Sequence, residues 1–195
     1  MIIEGLVTTL NADRTVNLAP MGPRVEPPMD RLLLRPFQTS TTFANLRRHG
    51  EGVFHVTDNV ELLAHCAVGA PATLPELRRA EAIDGLIVTG ACRWYAFRVR
   101  SIDTSEERAE IDAEVVDRGV EREFFGFNRA KHAVLEAAIL ATRIGILSDD
   151  EIRAEIARLA SPVAKTGGPS ELAAFDFLRA HINRRLSEAS PRTGG

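Results

Sequence analysis

The chain has 195 residues, with 24 Lys and Arg against 27 Asp and Glu, and a formal net charge of -3. At 45% hydrophobic and 26% charged residues it has the balance of a globular protein, long enough for one full core or for a domain with a sizeable appendage. It shows no basic stripe of the kind that nucleic-acid binding needs, and no stretch near the roughly 20 apolar residues that span a bilayer.

The amino terminus, Met1-Ile-Ile-Glu-Gly5, lacks the basic segment and apolar core of a leader. Cys66 and Cys92 lie in apolar surroundings and read as small core residues in a reducing compartment. A cytoplasmic location is the expectation, with no nucleic acid and no membrane as partners.

Ile3, Leu6, Val7 and Leu10 open a β-rich stretch, and Asn11-Ala-Asp-Arg14 turns it back along Thr15 to Ala19 as a hairpin. Arg14 stands where glycine takes a positive φ more comfortably, a strain of about 1 kcal/mol if that geometry is kept. In Asn17-Leu-Ala-Pro-Met-Gly-Pro23 two prolines and a glycine hold the backbone extended, break strand pairing and leave backbone polar groups free. Such backbone can edge a flat ring, or it simply ends a strand.

After a Pro-containing loop, residues 30–37 read as a strand around Leu32-Leu33-Leu34, and Thr39 or Ser40 caps a helix over Thr41 to His49 that stops near Gly50. The stretch Arg35-Pro-Phe-Gln-Thr-Ser-Thr-Thr-Phe-Ala-Asn45 thus gathers hydroxyls, free N–H groups and a guanidinium near one helix start. That is a cradle for a phosphate dianion. An ordinary helix cap accounts for the same hydroxyls.

A strand at Gly52 to Thr57 follows, then a short helix capped by Asp58 or Asn59, carrying Leu62, Leu63 and Cys66 and stopping at Gly69 and a Pro71 to Pro75 loop. From Gly85 the chain is β again. Cys92, Trp94 and Ala96 alternate with Arg93, Tyr95, Phe97 and Val99, suggesting one polar and one packed face, although aromatics fall on both. After a turn at Ser105-Glu-Glu, Ala109, Ile111, Ala113 and Val115 alternate with Glu110, Asp112 and Glu114 as an amphipathic strand ending near Gly119.

From Glu121 the pattern turns helical. Asn128 caps a helix carrying Ala130, Ala133, Val134, Ala137, Ala141 and Ile144, with Gly145 as the stop. Ser148-Asp-Asp-Glu151 is a capping box for a second helix. A Lys165-to-Pro169 linker leads to a third, capped by Ser170, with Leu172, Phe175, Leu178, Ile182 and Leu186 on one side. The class is α+β: a sheet or small barrel over residues 1–120, a helical part over 121–189 and a frayed tail over 190–195.

Dinucleotide, P-loop and nucleophile-elbow fingerprints are missing, and the five histidines show no metal-ligand spacing. His132 and Glu136 read as a helix-surface pair.

Taken together, Ile2-Ile-Glu-Gly-Leu-Val-Thr-Thr-Leu-Asn11, Asn17-Leu-Ala-Pro-Met-Gly22, Arg35 to Leu46 and Phe127-Asn-Arg-Ala-Lys131 resemble the poorly characterised FMN-binding split-barrel proteins of archaea and bacteria. These are distant relatives of flavin reductases and pyridoxamine-phosphate oxidases. The resemblance implies a six-stranded split β-barrel, a homodimer, and FMN held near the subunit interface. By the family pattern Thr39, Ser40, Thr41 and Thr42, with Arg35 and Asn45, would hold the phosphate, and Asn17, Ala19, Pro20, Met21 and Gly22 would lie along the ring. Arg129 and Lys131 would reach the phosphate or a substrate, or else belong to a solvated helix start. Asp13-Arg14 departs from a common Asp-Gly, and Phe43 from a common Tyr.

A flavin brings its own redox chemistry, so an acid–base pair is not required of the protein. The resemblance implies an oxidoreductase or flavin reductase using NAD(P)H or a small-molecule substrate. A non-catalytic flavin carrier, or an oxidoreductase using deazaflavin, is the alternative.

Overall fold

A computed structural model describes residues 1–69, 71 and 73–189. Its elements run β1 (Gly5–Leu10), β2 (Val16–Met21), β3 (Arg31–Leu34), α1 (Thr41–His49), β4 (Glu51–Val56), α2 (Val60–Val68), β5 (Leu77–Arg79), β6 (Leu86–Val88), β7 (Arg93–Asp103), β8 (Glu110–Val120), α3 (Arg129–Ala141), α4 (Asp149–Thr166) and α5 (Pro169–Ala189). They form an α+β protein of two compact units. One comprises residues 1–58 and 72–124, the other residues 59–71 and 125–195. The expected tail, 190–195, lies outside the described residues, as do Ala72 of the Pro71 to Pro75 loop and Ala70 just before it.

The first unit is built on a six-stranded antiparallel sheet in the order β2-β1-β4-β7-β8-β3. β1 and β2 form the expected hairpin, with Gly5 opposite Met21 and Leu10 opposite Val16. Arg14 takes φ 72° at its turn, the left-handed geometry anticipated from Asp13-Arg14.

Pairing does not break at Pro20, which stands opposite Leu6 inside the ladder. β2 is the last strand in the order, so a residue without an N–H is tolerated there with its nitrogen turned away from β1. Beyond Met21 the chain still pairs. Arg24 bridges Ile2 on one side and Leu33 of β3 on the other.

β4 and β7 are covered on both faces. Phe54, Tyr95 and Phe97 join Val7, Leu32, Leu34, Phe43, Leu46 and Ile111 in one buried cluster, which includes the inner face of α1. Val53, Trp94 and Ala96 point the other way, into a second cluster with Ile83 and Ile87. The polar face expected of β7 is therefore packed from Trp94 to Phe97. What covers it is the two-stranded hairpin of β5 and β6, whose strands of three residues are too short to show a period. β8 keeps the expected alternation, with Ala109, Ile111 and Ala113 fully buried.

The second unit gathers α2, α3, α4 and α5. Asn59 caps α2 by accepting from the Leu62 N–H at 3.0 Å. α3 packs against α2, α4 and α5, and Ala130, Ala133, Val134, Ala137, Ala138 and Ala141 are all buried there. The capping box of Ser148 and Glu151 opens α4, with Ile152, Ile156, Leu159 and Val163 as its buried stripe.

Several boundaries differ from expectation. α3 stops at Ala141, ahead of Gly145. Lys165 and Thr166 belong to α4. α5 begins at Pro169, one residue before Ser170, with Glu171 accepting from the Gly168 N–H at 2.9 Å. Proline at a first helical position suits its fixed φ. Leu172 is 43% exposed, while Phe175, Leu178, Ile182 and Leu186 are buried. Among the described residues no helix is long and apolar enough to cross a membrane.

Candidate functional site

The strand–turn–helix from Leu32 to Asn45 folds as its residues direct. Ser40, extended at φ -80° and ψ 149°, is the N-cap of α1, and Gly50, left-handed at φ 75°, is its C-cap. The Ser40 hydroxyl accepts from the Phe43 N–H at 3.1 Å and donates to the Phe37 carbonyl at 2.7 Å. It is first of all a cap. Thr39 and Thr41 are exposed, and neither hydroxyl has a hydrogen-bond partner among the described residues. Around them lie the first-turn N–H groups that no intrahelical carbonyl can reach.

The turn ahead of α1 is pinned from the side by residues 104–109. Gln38 Nε2 donates to the carbonyls of Thr104 at 3.1 Å and Glu106 at 2.6 Å, and the Ala109 N–H donates to the Pro36 carbonyl at 3.0 Å. Phe37 pairs with Arg108, whose guanidinium lies 4.1 Å from the Phe37 ring centroid. Arg35 stands with its Nε 3.2 Å from a Glu110 oxygen, without the alignment of a hydrogen bond. Gln38, Arg108 and Glu110 carry no local signal in the sequence, because only the register between this turn and β8 brings them to it.

Thr42 and Asn45 are not on the open side of the helix start. They are 3% and 5% exposed and turn inward, to the face where residues three apart meet. Asn17 Nδ2 donates to Thr42 Oγ1 and to Thr9 Oγ1, both at 3.1 Å. Asn45 Nδ2 donates to Thr9 Oγ1 at 3.1 Å and to Asn11 Oδ1 at 2.9 Å. Asn45, expected at the phosphate, thus lies buried with two internal bonds.

The pleat of β2 divides the ring segment. Ala19 and Met21 pack against the cluster under α1, Pro20 faces the opposite, exposed side, and Gly22 sits where a Cβ would come within 2.9 Å of the Glu4 carboxylate. An open depression of about 760 Å³ lined by Ile2, Arg24, Val25, Pro28, Arg31 and Leu33 includes none of these residues.

In the helical unit, Lys131 Nζ lies 3.4 Å from a Glu171 carboxylate oxygen of α5, an ion pair that accounts for it structurally. Arg129 is exposed. His132 and Glu136 form the expected i, i+4 pair at 3.9 Å. Burial pushes the Cys66 thiol up to about 12 and raises Cys92 as well, so both are inert core thiols at neutral pH.

The antiparallel sheet with α1 inserted between β3 and β4 belongs to a fold that the chain shares with solved structures. It is similar to flavoredoxin from Methanosarcina acetivorans (TM-score 0.53, 13% identity, covering 62% of this chain and 69% of that one). It is also similar to the styrene monooxygenase flavin reductase from Pseudomonas putida S12 (TM-score 0.51, 11% identity, 61% and 79%).

Residues 3–122 match the family model described as "Protein of unknown function (DUF447) N-terminal domain", and residues 128–180 match "Protein of unknown function (DUF447)". The chain belongs to the DUF447 family. A crystal structure of the FMN-bound protein MM1853 from Methanosarcina mazei, of the same family, superposes with a TM-score of 0.79 at 22% identity, over 92% of this chain and 94% of that one. No curated protein matches the sequence.

Proposed function

We propose that this protein binds FMN and acts as a flavin-dependent oxidoreductase, taking electrons from NAD(P)H or another small molecule. The observation that carries the reading is the FMN-bound family member, which matches this chain over nearly its whole length. The residues present fit the group. The exposed hydroxyls of Thr39 and Thr41, the Thr41 and Thr42 N–H groups that open α1 and the half-exposed Arg35, which stands beside Glu110, are donors that suit a phosphate dianion. In this reading they hold the phosphate, joined by Ser40 when its hydroxyl turns from the Phe37 carbonyl to donate to the dianion. Ala19, Pro20, Met21 and Gly22 lie along the ring, while Asn17, Thr42 and Asn45 form the frame behind it.

The sheet is read as a six-stranded split barrel. Support comes from Arg24, which bridges both Ile2 and Leu33 and so links the two ends of the strand order through the continuation of β2. When bound, the flavin supplies the redox chemistry, and the protein's part is to bind and orient it.

We also propose that the protein works as a homodimer whose second copy covers the ring. The exposure of Pro20, Thr39 and Thr41 supports this. The small residues of α3 do not, because all of them are buried within the helical unit. Light scattering at micromolar concentration is expected to give twice the chain mass, and the monomer mass would contradict the dimer.

The test of the flavin reading is a comparison of FMN with riboflavin by fluorescence titration. Charge-assisted hydrogen bonds contribute about 1.5–3 kcal/mol each, so losing two or more with the phosphate should weaken binding at least about a hundredfold. Equal affinities would count against the cradle, and no binding of either would remove the flavin reading.

A further inference from the structure

We propose that the Asn17 carboxamide is a positioning residue that bridges β1 to the first turn of α1, setting the spacing between the strand along the ring and the helix start that holds the phosphate. This rests on the flavin reading above.

Asn17 stands directly opposite Thr9 in the β1–β2 ladder, so one amide hydrogen reaches Thr9 Oγ1 across the pair. The other reaches Thr42 Oγ1, each at 3.1 Å. A carboxamide nitrogen has two hydrogens, and both are in use. Asn45, three residues along the same helix face, adds a second tie through Thr9 and Asn11.

Phe43 and Leu46 pack α1 on the sheet, and apolar packing is non-directional; at the far end of the helix the Arg48 guanidinium donates to the Leu10 carbonyl. With Arg48 fixing only the last turn, apolar packing leaves the first turn free to shift by a fraction of an ångström. Hydrogen bonds among Thr9, Asn17, Thr42 and Asn45 do not, because their geometry fails steeply off axis. Thr9, Thr42 and Asn45 are each at most 5% exposed, too deep to serve as ligand contacts themselves.

A ligand that grips only β2 is indifferent to this spacing. One that grips β2 by its ring and α1 by its phosphate is not. The bridge therefore acts on FMN and hardly on riboflavin.

The experiment measures FMN and riboflavin affinity, the visible spectrum of the bound flavin and the melting temperature of the apo protein, in the wild type and in Thr42→Val, Thr42→Ser, Asn17→Ala and the Asn17→Ala/Thr42→Val double variant. Thr42→Val is expected to weaken FMN about tenfold, with riboflavin changed less than about threefold and the flavin band altered. Thr42→Ser, which keeps the hydroxyl, restores all three. The double variant should be no weaker for FMN than Asn17→Ala alone, since the Asn17–Thr42 bond that Thr42→Val breaks is already gone there.

Additive losses in the double variant would mean two independent ligand contacts and overturn the bridge. So would a Thr42→Val protein that melts lower yet keeps the wild-type ratio of FMN to riboflavin affinity and an unchanged spectrum. Should Thr42→Val fail to fold, Thr42→Ala takes its place, removing the same hydroxyl with no added bulk in a helix-favouring residue. A wild type that binds neither flavin removes the flavin reading and this proposal together; one that prefers FMN while Thr42→Val is unaffected removes the bridge alone.

Discussion

His55 is fully buried in β4, with Nε2 3.0 Å from the Val88 nitrogen and Nδ1 3.3 Å from the Leu6 carbonyl. A backbone N–H can only donate, so Nε2 must be the bare nitrogen and Nδ1 the protonated one, the neutral tautomer. Burial pushes its pKa from 6.5 down to about 4, opposed by the Leu6 carbonyl bond and the Glu121 charge. The sign follows. Above pH 6.5 neither state holds the proton, and His55 contributes no pH dependence. Below it the unfolded chain takes up a proton that the folded protein refuses until about pH 4, so stability falls as pH falls through that window.

Between pH 7 and 5 this amounts to about 2 kcal/mol. Urea unfolding should show the wild type losing about that much more over the interval than His55→Gln, and equal losses would show that His55 charges as readily folded as unfolded. His55 was legible in the sequence only as a strand residue, since its partners lie on β1 and β6.

At the scale of the element, caps were the most readable features. Ser40, Asn59, Asn128 and Ser148 all cap helices, because a cap is a bond between residues two or three apart. What a cap does beyond its own helix was not readable. Asn128 Oδ1 accepts from the Ala130 and Lys131 N–H groups at 2.8 and 3.1 Å, while its Nδ2 donates to the Thr166 carbonyl at 3.0 Å, tying the start of α3 to the end of α4.

Asn128→Ala should therefore cost about 2 kcal/mol, a cap plus a part-buried hydrogen bond, against about 1 kcal/mol for Ser148→Ala at the exposed capping box. Urea denaturation of the two variants decides it, and equal costs would mean that the Thr166 bond contributes nothing.

For the whole molecule the open question is which donor feeds the proposed flavin. The bound flavin is expected to be reduced by NADH or NADPH in anaerobic stopped-flow with a hyperbolic dependence on nucleotide concentration. Saturation marks a pocket that holds the nicotinamide against the ring, with the large effective concentration such positioning brings. Reduction that stays linear in donor and no faster than free FMN, with dithionite still effective, would turn the reading toward a carrier or a deazaflavin-linked enzyme. The same experiment with reduced deazaflavin separates those two.

The sequence by itself determined the hairpin of β1 and β2 with its left-handed Arg14, the capped start of α1, the amphipathic β8, the helical carboxyl-terminal part and the α+β class. Each of these depends on period, turn chemistry or capping within a few residues. Only the tertiary structure decided that Pro20 is paired, because an edge position, not a local rule, makes it tolerable. It also decided that both faces of β7 are covered, since the β5–β6 hairpin is too short to read, and that the α3 alanines are buried by α2, α4 and α5.

The same holds at the site. The run of hydroxyls from Thr39 to Thr42 looked uniform, yet the turn of the helix leaves Thr39 and Thr41 open, engages Ser40 as a cap and sends Thr42 inward to Asn17. Residues adjacent in sequence point about 100° apart on a helix, and which of those directions meets a strand is set by packing at long range.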